Sequence, residues 1–241
     1  MKVLSIDWDY FYGDQTWFDW QMNEDNPIYY EIIWGLRAGN THIRTGESAI
    51  TLMQPNQRLL KGFWDRVPDA AFIFVAESHR AILDSLGGII KHVPLEIWNV
   101  DAHHDCGYPG SGTDKPHCGN WAAIMGKRLK VFHQIYPGWR RKCKEPTPIR
   151  TPDQILYKLP EKFDVDAIFI CRSSCWTPSW CDDQWLNFIG GLDKFNSPMT
   201  IRKQVDWVMK ARHPNMEEAR KLEAQYKIFM EANFKCLQPT K

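Results

Sequence analysis

Short apolar runs that end in a carboxylate or a histidine recur along this chain. Residues 2–7 read Lys-Val-Leu-Ser-Ile-Asp, residues 70–76 read Ala-Ala-Phe-Ile-Phe-Val-Ala, and residues 95–101 read Leu-Glu-Ile-Trp-Asn-Val-Asp. Short apolar runs of this kind are typical of strands buried on both faces. We therefore predict three core strands, each followed at once by polar residues.

Helical and further strand patterns alternate with these runs. Strands are predicted at 129–136 and 167–171, and helices at 28–36, 55–66, 80–86, 120–127 and 178–189, with a helical C-terminal segment at 200–235 that breaks near His213. Alternating strands and helices indicate a mainly parallel sheet. The predicted fold is a three-layer α/β domain spanning residues 1–241, with helices on both faces of the sheet.

The segment that follows the third strand carries the clearest chemical pattern. Asp101, His103 and Asp105 occur at every second position. Side chains two residues apart along a strand fall on one side, so these three converge if the extended backbone continues. Carboxylate and imidazole ligands together suit a divalent transition metal.

The two other strand ends add further ligand types. The candidate metal ligands are Asp7, Asp9, His79, Asp101, His103 and Asp105. Four carboxylates and two imidazoles crowd a single ion but suit two divalent ions with shared carboxylates. The alternative is that these residues lie in separate solvated turns and never meet.

Composition and net charge limit the kinds of partner and compartment that we expect for this protein. The formal net charge of +1 argues against a nucleic-acid or acidic-membrane partner, and we find neither a membrane-spanning run nor a signal-peptide pattern. Seven scattered cysteines indicate reduced thiols in a cytoplasmic protein. The spacing of Cys171, Cys175 and Cys181 is not that of a zinc ribbon. Among twelve tryptophans, we expect Trp8, Trp121 and Trp176 to line a pocket.

The strand ends resemble the arginase/agmatinase/histone-deacetylase superfamily. Its dimetal members carry a G-D-H turn, a D-A-H-x-D strand end and an S-x-D-x-D strand end. The corresponding segments here are Glu77-Ser78-His79, Asp101-Ala102-His103-His104-Asp105 and Ser5-Ile6-Asp7-Trp8-Asp9. An arginase-like family of hypothetical proteins is more similar still, since an Asn-Trp pair, here Asn120-Trp121, follows its metal motif.

This resemblance implies specific roles. Asp101 and Asp7 would bridge two ions, with His103 and Asp9 completing one and His79 and Asp105 the other. The usual metal would be manganese, with zinc, iron and magnesium as alternatives, and a metal-bridging hydroxide would be the nucleophile. His117, close to the spacing of the family's proton-transfer histidine, would move protons or else be an ordinary loop histidine.

The chain departs from the superfamily pattern in two ways. The S-x-D-x-D match opens the chain instead of following D-A-H-x-D, which requires a permuted order of strands. Where arginases carry a glutamate that faces the guanidinium, the nearest stretch offers Arg172. We expect Arg172 to hold a substrate anion, unless it is a structural salt-bridge partner. Asn120, Trp121 and His104 complete the predicted substrate contacts.

The predicted function is a dimetal hydrolase that cleaves a C–N bond in a small amidine, amide or acylated amine. The oligomeric state stays open. One alternative is a magnesium-dependent phosphatase of the haloacid-dehalogenase type, which fits Asp7 and Asp9 but leaves Phe11 where that motif has Thr or Val. The other is a catalytically silent metal-binding or interaction protein on the same scaffold.

Overall fold

A single parallel sheet organises the part of the chain that the computed structural model describes, which is residues 1–14, 28–89, 92–108, 115–143, 145–195, 199–202, 210–212 and 216–237. Its seven strands are β1 (Lys2–Asp7), β2 (Phe72–Ala76), β3 (Leu95–Val100), β4 (Leu129–Ile135), β5 (Gln154–Leu156), β6 (Ala167–Cys171) and β7 (Met199–Arg202). Their order across the sheet is β5-β4-β3-β1-β6-β2-β7, and every neighbouring pair is parallel.

Helices connect the strands. They are α1 (Ile28–Thr45), α2 (Ala49–Leu52), α3 (Gln57–Leu60), α4 (Ala81–Ile89), α5 (Trp121–Met125), α6 (Asp182–Gly190) and α7 (Met216–Leu237). Side-chain caps explain where the short ones begin, because Ser48 and Asn56 accept hydrogen bonds from the backbone of the first turns of α2 and α3. The predicted three-layer α/β fold is confirmed.

Alternation along the strands divides the core into two apolar layers. In β1, Leu4 and Ile6 join one buried cluster with much of the aromatic content, whereas Val3 belongs to the cluster on the other face. Ser5 and Asp7 share the face of Val3, since side chains alternate across a strand. The buried polar side chains of β1 therefore lie on one face of the sheet, toward the carboxyl end of the strand.

The neighbours of β1 are the feature that positions the site. As predicted, the first strand pairs with the strand that precedes Asp101, and Ile6 lies opposite Val100. On its other side β1 pairs with β6, where Asp7 lies opposite Cys171. Parallel strands end at one edge of the sheet, so residues that follow β1, β2, β3 and β6 come together there.

The predicted helical segment at 200–235 is wrong at its start. Met199–Arg202 is an edge strand paired with β2, residues 203–209 lie outside the described residues, and a helix covers Met216–Leu237. The β-branched Thr200 and Ile201 favour a strand, and pairing satisfies their backbone groups. The predicted break near His213 lies outside the described residues.

Other helices begin or end at residues that differ from those predicted. The helix predicted over 55–66 consists of α3 and a separate 3-10 turn at Trp64–Arg66, and the helix predicted over 28–36 continues to Thr45. Gly87 lies within α4, which ends at Ile89, and does not end it. The three-residue strand β5 was not predicted from the sequence.

Candidate metal centre

The carboxyl edge of the sheet gathers all six predicted ligands. The ligand atoms form three groups, and within each group all atoms lie within 4.8 Å of one another. Two of the groups share Asp101, and the third contains a cysteine and two of the predicted ligands. The groups are Asp9, Asp101 and His103; His79, Asp101 and Asp105; and Asp7, His79 and Cys171. The alternative, in which the strand-end residues never meet, is excluded.

His79 occupies the centre of the inner part of this site. Its Nδ1 atom lies 3.3 Å from Asp7 Oδ2, 3.1 Å from Asp101 Oδ2 and 2.9 Å from Asp105 Oδ2. The side chain is fully buried, yet Nδ1 has no contact of hydrogen-bond geometry among the described residues. On the other side of the ring, Nε2 lies 2.6 Å from Ser5 Oγ. A proton on Nε2, donated to Ser5, would leave the Nδ1 lone pair directed at the carboxylates.

These spacings match those of ligands around one cation. Zinc-type bonds of about 2.0–2.2 Å at tetrahedral or octahedral angles place neighbouring ligand atoms roughly 2.8–3.6 Å apart. The three distances from His79 Nδ1 fall within this range. These distances suit a divalent cation held between His79 and the three carboxylates. Without a cation, the neighbouring charges and hydrogen bonds outweigh burial and raise the pKa of His79 well above its usual value, so a protonated imidazole can pair with the same carboxylates.

The second group lies closer to the surface. His103 Nδ1 is 2.8 Å from Asp9 Oδ2, and Asp9 Oδ1 accepts the backbone N–H of Ala102 at 3.1 Å. The His103 side chain is 13% exposed, whereas that of Asp9 is fully buried. The half-buried Trp176 lies beside His103, with ring centres 4.7 Å apart. Of the six predicted ligands, His103 is therefore the most exposed to solvent.

Electrostatic repulsion among the carboxylates also favours a bound cation. Burial, together with the charges of Asp7 and Asp101, raises the pKa of Asp9 well above its usual value. Burial and the charges of Asp105 and Asp7 raise the pKa of Asp101 to about 7. The pKa of Asp7 is lowered instead, because the hydrogen bond and charge of His79, with further hydrogen bonds, outweigh the effect of burial. Packed carboxylates of this kind stay ionised together only when positive charge lies between them, from an imidazolium or from a bound cation.

Backbone strain is concentrated at the same place. Among the described residues other than glycine, only Asp105 and Ser173 have positive φ, at 51° and 50°. Asp105 accepts the indole N–H of Trp121 at 2.6 Å, and the Ser173 hydroxyl donates to Asp7 Oδ2. Conformations of this kind cost free energy and persist where the surroundings impose them, often at functional sites.

Trp121 supports the ligands instead of lining an entrance. It is fully buried, and its ring centre lies 4.9 Å from that of His79. Its predicted role in substrate contact stays a prediction. Trp8 is likewise part of the core, packed against Trp185 and Phe188. Of the three tryptophans expected to line a pocket, only Trp176 is placed at the solvent side of the site.

His104 is also a structural residue. Its Nδ1 accepts the backbone N–H of Cys106 at 3.0 Å, its Nε2 lies 3.1 Å from the carbonyl oxygen of Pro146, and its ring stacks on Tyr108. It is 1% exposed, and both of its ring nitrogens have backbone partners. Its predicted substrate contact stays a prediction.

Asn120 and His117 cap the turn that leads into α5. Asn120 accepts the backbone N–H of His117 at 2.8 Å and donates to the carbonyl oxygen of Lys115, and its predicted substrate contact stays a prediction. His117 Nδ1 accepts the backbone N–H of Gly119 at 3.2 Å. This contact shows that His117 is more than an unstructured loop residue, and its role in proton transfer stays a prediction.

Arg172 is the centre of a buried ion-pair network, which is the structural alternative to its predicted role as the anchor of a substrate anion. Its Nη2 lies 2.6 Å from Glu77 Oε2, and its Nη1 lies 3.2 Å from Asp182 Oδ2. Arg212 binds the same Asp182 at 2.6 Å. Arg172 is 1% exposed, and its guanidinium neutralises buried carboxylates that would otherwise be destabilising.

Three residues that contact the predicted ligands were not predicted from the sequence to belong to the site. Ser5, Cys171 and Ser173 each bond to a predicted ligand. The signal for Cys171 and Ser173 was the polar end of the strand at 167–171, which follows the same pattern as the other strand ends. The three clustered cysteines do not form a site together, since Cys181 Sγ lies near the carbonyl oxygen of Met53 in the opposite core layer.

Comparisons with known proteins do not assign this chain to a family. No family model, curated protein or solved structure matches the chain. Within the described residues, none of the helices combines the length and the apolar character that crossing a bilayer requires. The geometry of the centre therefore carries the functional argument.

Proposed function

We propose that this protein is a metal-dependent hydrolase that holds two divalent cations at the carboxyl edge of its sheet. The observation that carries the proposal is that Asp101 belongs to two separate ligand groups, one completed by Asp9 and His103 and the other by His79 and Asp105. A carboxylate shared in this way is what a pair of neighbouring ions needs. The same division of ligands follows from the arginase-like resemblance.

Divalent ions bound here would lower the pKa of a shared water molecule and polarise a carbonyl or amidine group. The residues of the chain have distinct tasks. Ser5, Ser173 and Trp121 fix the orientation of His79, Asp7 and Asp105 through hydrogen bonds. Hydrogen bonds of this kind keep ligands in place before a metal arrives and tune their basicity.

The substrate we propose is a small uncharged amide or acylated amine with a scissile C–N bond. Arg172 and Glu77 are bound to each other, so neither supports recognition of a carboxylate or of a guanidinium. The approach beside His103 and Trp176 offers an aromatic wall and a metal ligand instead. We therefore propose that arginine and agmatine are poor substrates.

The proposed location is the cytoplasm. Cys106, Cys118, Cys143, Cys171, Cys175 and Cys181 are in the thiol form. Thiols placed beside metal ligands persist best in a reducing compartment. The proposed partner is the small-molecule substrate.

Activity assays with controlled metal content test the proposal. The protein is stripped with a chelator, reloaded with manganese or zinc, and assayed on acylated amines, amides, amidines, arginine and p-nitrophenyl phosphate. We expect C–N hydrolysis that requires metal, is lost in Asp9→Asn, and is kept in Asp84→Asn, a matched change at an exposed position of α4.

Two outcomes would contradict the proposal. Hydrolysis of the phosphate ester with one magnesium ion per chain would favour the phosphatase alternative. Full metal loading without turnover of any compound in the panel would favour a catalytically silent metal-binding protein.

A further inference from the structure

A buried thiol lies at the inner end of the metal centre. Cys171 ends β6 directly opposite Asp7 of β1, and its Sγ lies 3.5 Å from Asp7 Oδ2 and 3.5 Å from Ser173 Oγ. Ligand atoms of Asp7, His79 and Cys171 all lie within 4.8 Å of one another. The thiol is fully buried, so it belongs to the interior of the site.

The position of the sulfur fits a metal ligand. Bonds of about 2.3 Å to sulfur and about 2.1 Å to oxygen, at a tetrahedral angle, place the two ligand atoms roughly 3.6 Å apart. The observed distance between Cys171 Sγ and Asp7 Oδ2 is 3.5 Å. A weak hydrogen bond from the thiol to Asp7 has the same length. The Nδ1 atom of His79 lies 3.3 Å from Asp7 Oδ2 in the same group and makes no contact of hydrogen-bond geometry among the described residues, an arrangement that a cation between these atoms accounts for.

We propose that Cys171 is a thiolate ligand of the inner ion, so that the two metal positions differ in chemistry. This inference rests on the proposed metal centre. The inner position combines His79 and carboxylates with sulfur, whereas the outer position offers Asp9, Asp101 and His103, with nitrogen and oxygen only. Thiolate ligands favour zinc or ferrous iron, and hard oxygen ligands favour manganese or magnesium.

The binding step involves no redox change. The Sγ–metal bond forms as the S–H bond breaks, and the thiol proton passes to solvent or buffer. The inner position therefore selects zinc or ferrous iron, while the outer position accepts manganese. A preparation loaded with both kinds of metal should contain one of each per chain.

Cobalt spectroscopy tests this inference on the full chain. Co²⁺ is added to the chelator-stripped protein, and the near-ultraviolet band of charge transfer from thiolate to cobalt is recorded. We expect the band in the wild type and in Cys181→Ser, a matched change of a buried thiol in the other core layer. In Cys171→Ser, whose hydroxyl can still donate to Asp7, the band should vanish. The preference for zinc over manganese should fall by at least about tenfold.

The outcomes separate this inference from the proposed function. Bound cobalt without the band in the wild type, or a band that persists in Cys171→Ser, would overturn the role of Cys171 and leave the metal centre intact. No binding of any divalent ion would overturn both proposals. If Cys171→Ser does not fold, the wild-type spectrum and its zinc-to-manganese preference still decide the question.

Discussion

Asp101 connects the two halves of the centre through its two carboxylate oxygens. Oδ2 faces His79 and accepts a hydrogen bond from Asn99 Nδ2 at 3.2 Å, and Oδ1 accepts the backbone N–H of His103 at 2.7 Å. Asn99 is itself fixed by Gln134 at 3.0 Å. A carboxylate held from both sides is oriented before any ligand binds, which lowers the cost of building a metal site.

At the same scale, Trp121 provides a test of how the ligands are oriented. Trp121→Phe removes the N–H that binds Asp105 Oδ2 while keeping an aromatic ring beside His79. Because such supporting bonds tune metal sites, we expect metal affinity to fall by about 10- to 100-fold. Competition with a chromophoric chelator measures the change.

Trp139→Phe is the matched control for this prediction. The Trp139 indole also donates a hydrogen bond, at 3.0 Å to the carbonyl oxygen of Tyr12, but it touches none of the six ligands in the described structure. The metal affinity of Trp139→Phe should equal that of the wild type. Equal losses in both variants would point to general destabilisation and would contradict the orienting role of Trp121.

Residue patterns predicted well which six side chains meet at the site, and poorly which residues support them. Asp7 and Asp101 follow apolar runs, so a local rule places both at strand ends. The structural role of Arg172 depends on Asp182, which comes from α6, and that of His104 depends on Pro146, which comes from a distant loop. No local pattern indicates that those segments return to the site.

At the scale of elements, the ion pairs of Arg172 with Glu77 and Asp182 connect three segments of the chain. They join the turn that carries Glu77, the end of β6, and the start of α6 at Asp182. The same Glu77 accepts the hydroxyl of Ser174, next to the residue that binds Asp7. The network therefore holds the turn of His79 against the loop of Ser173.

Arg172→Gln should destabilise the whole fold because it leaves Glu77 and Asp182 buried without their shared cation. Breaking a buried pair in this way costs about 3–5 kcal/mol. Chemical denaturation of the metal-free protein measures the free energy of unfolding. In the control Lys2→Gln, which removes the exposed pair with Asp164, that free energy should stay almost unchanged. A stable Arg172→Gln protein would show that the network contributes little.

The central strands could be predicted from the sequence because they are apolar along most of their length. The pairing of β1 with β3 followed from their shared polar ends and was confirmed. The edge strands were not predicted, because β5 has three residues and β7 has four. Segments this short form strands only because a neighbouring strand offers backbone partners, which a local sequence pattern does not reveal.

At the scale of the whole molecule, the raised pKa of Asp101 couples stability to pH. In the metal-free fold this carboxyl has a pKa of about 7, against 3.8 in an unfolded chain. The folded state therefore binds the additional proton between these values, and its free energy of unfolding should fall as the pH rises from about 4 to about 7. With metal bound the slope should reverse, because the ions require ionised carboxylates.

Urea denaturation at about pH 5 and about pH 7.5 checks this coupling. The metal-free wild type should be more stable at the lower pH, and the metal-loaded protein should be more stable at the higher pH. Asp101→Asn removes the titrating group, so its metal-free form should show a flatter dependence. A metal-free protein that gains stability with rising pH, to the same extent in both sequences, would contradict the raised pKa.

The number of metal ions per chain tests the central claim most directly. Elemental analysis of protein loaded with zinc and manganese together and then freed of excess metal should give close to two ions per chain in total. Asp101→Ala should lose most of both, since Asp101 belongs to both ligand groups, whereas the exposed Asp84→Ala should keep both. Retention of two ions in Asp101→Ala, or a wild type that binds none, would contradict the shared dimetal centre.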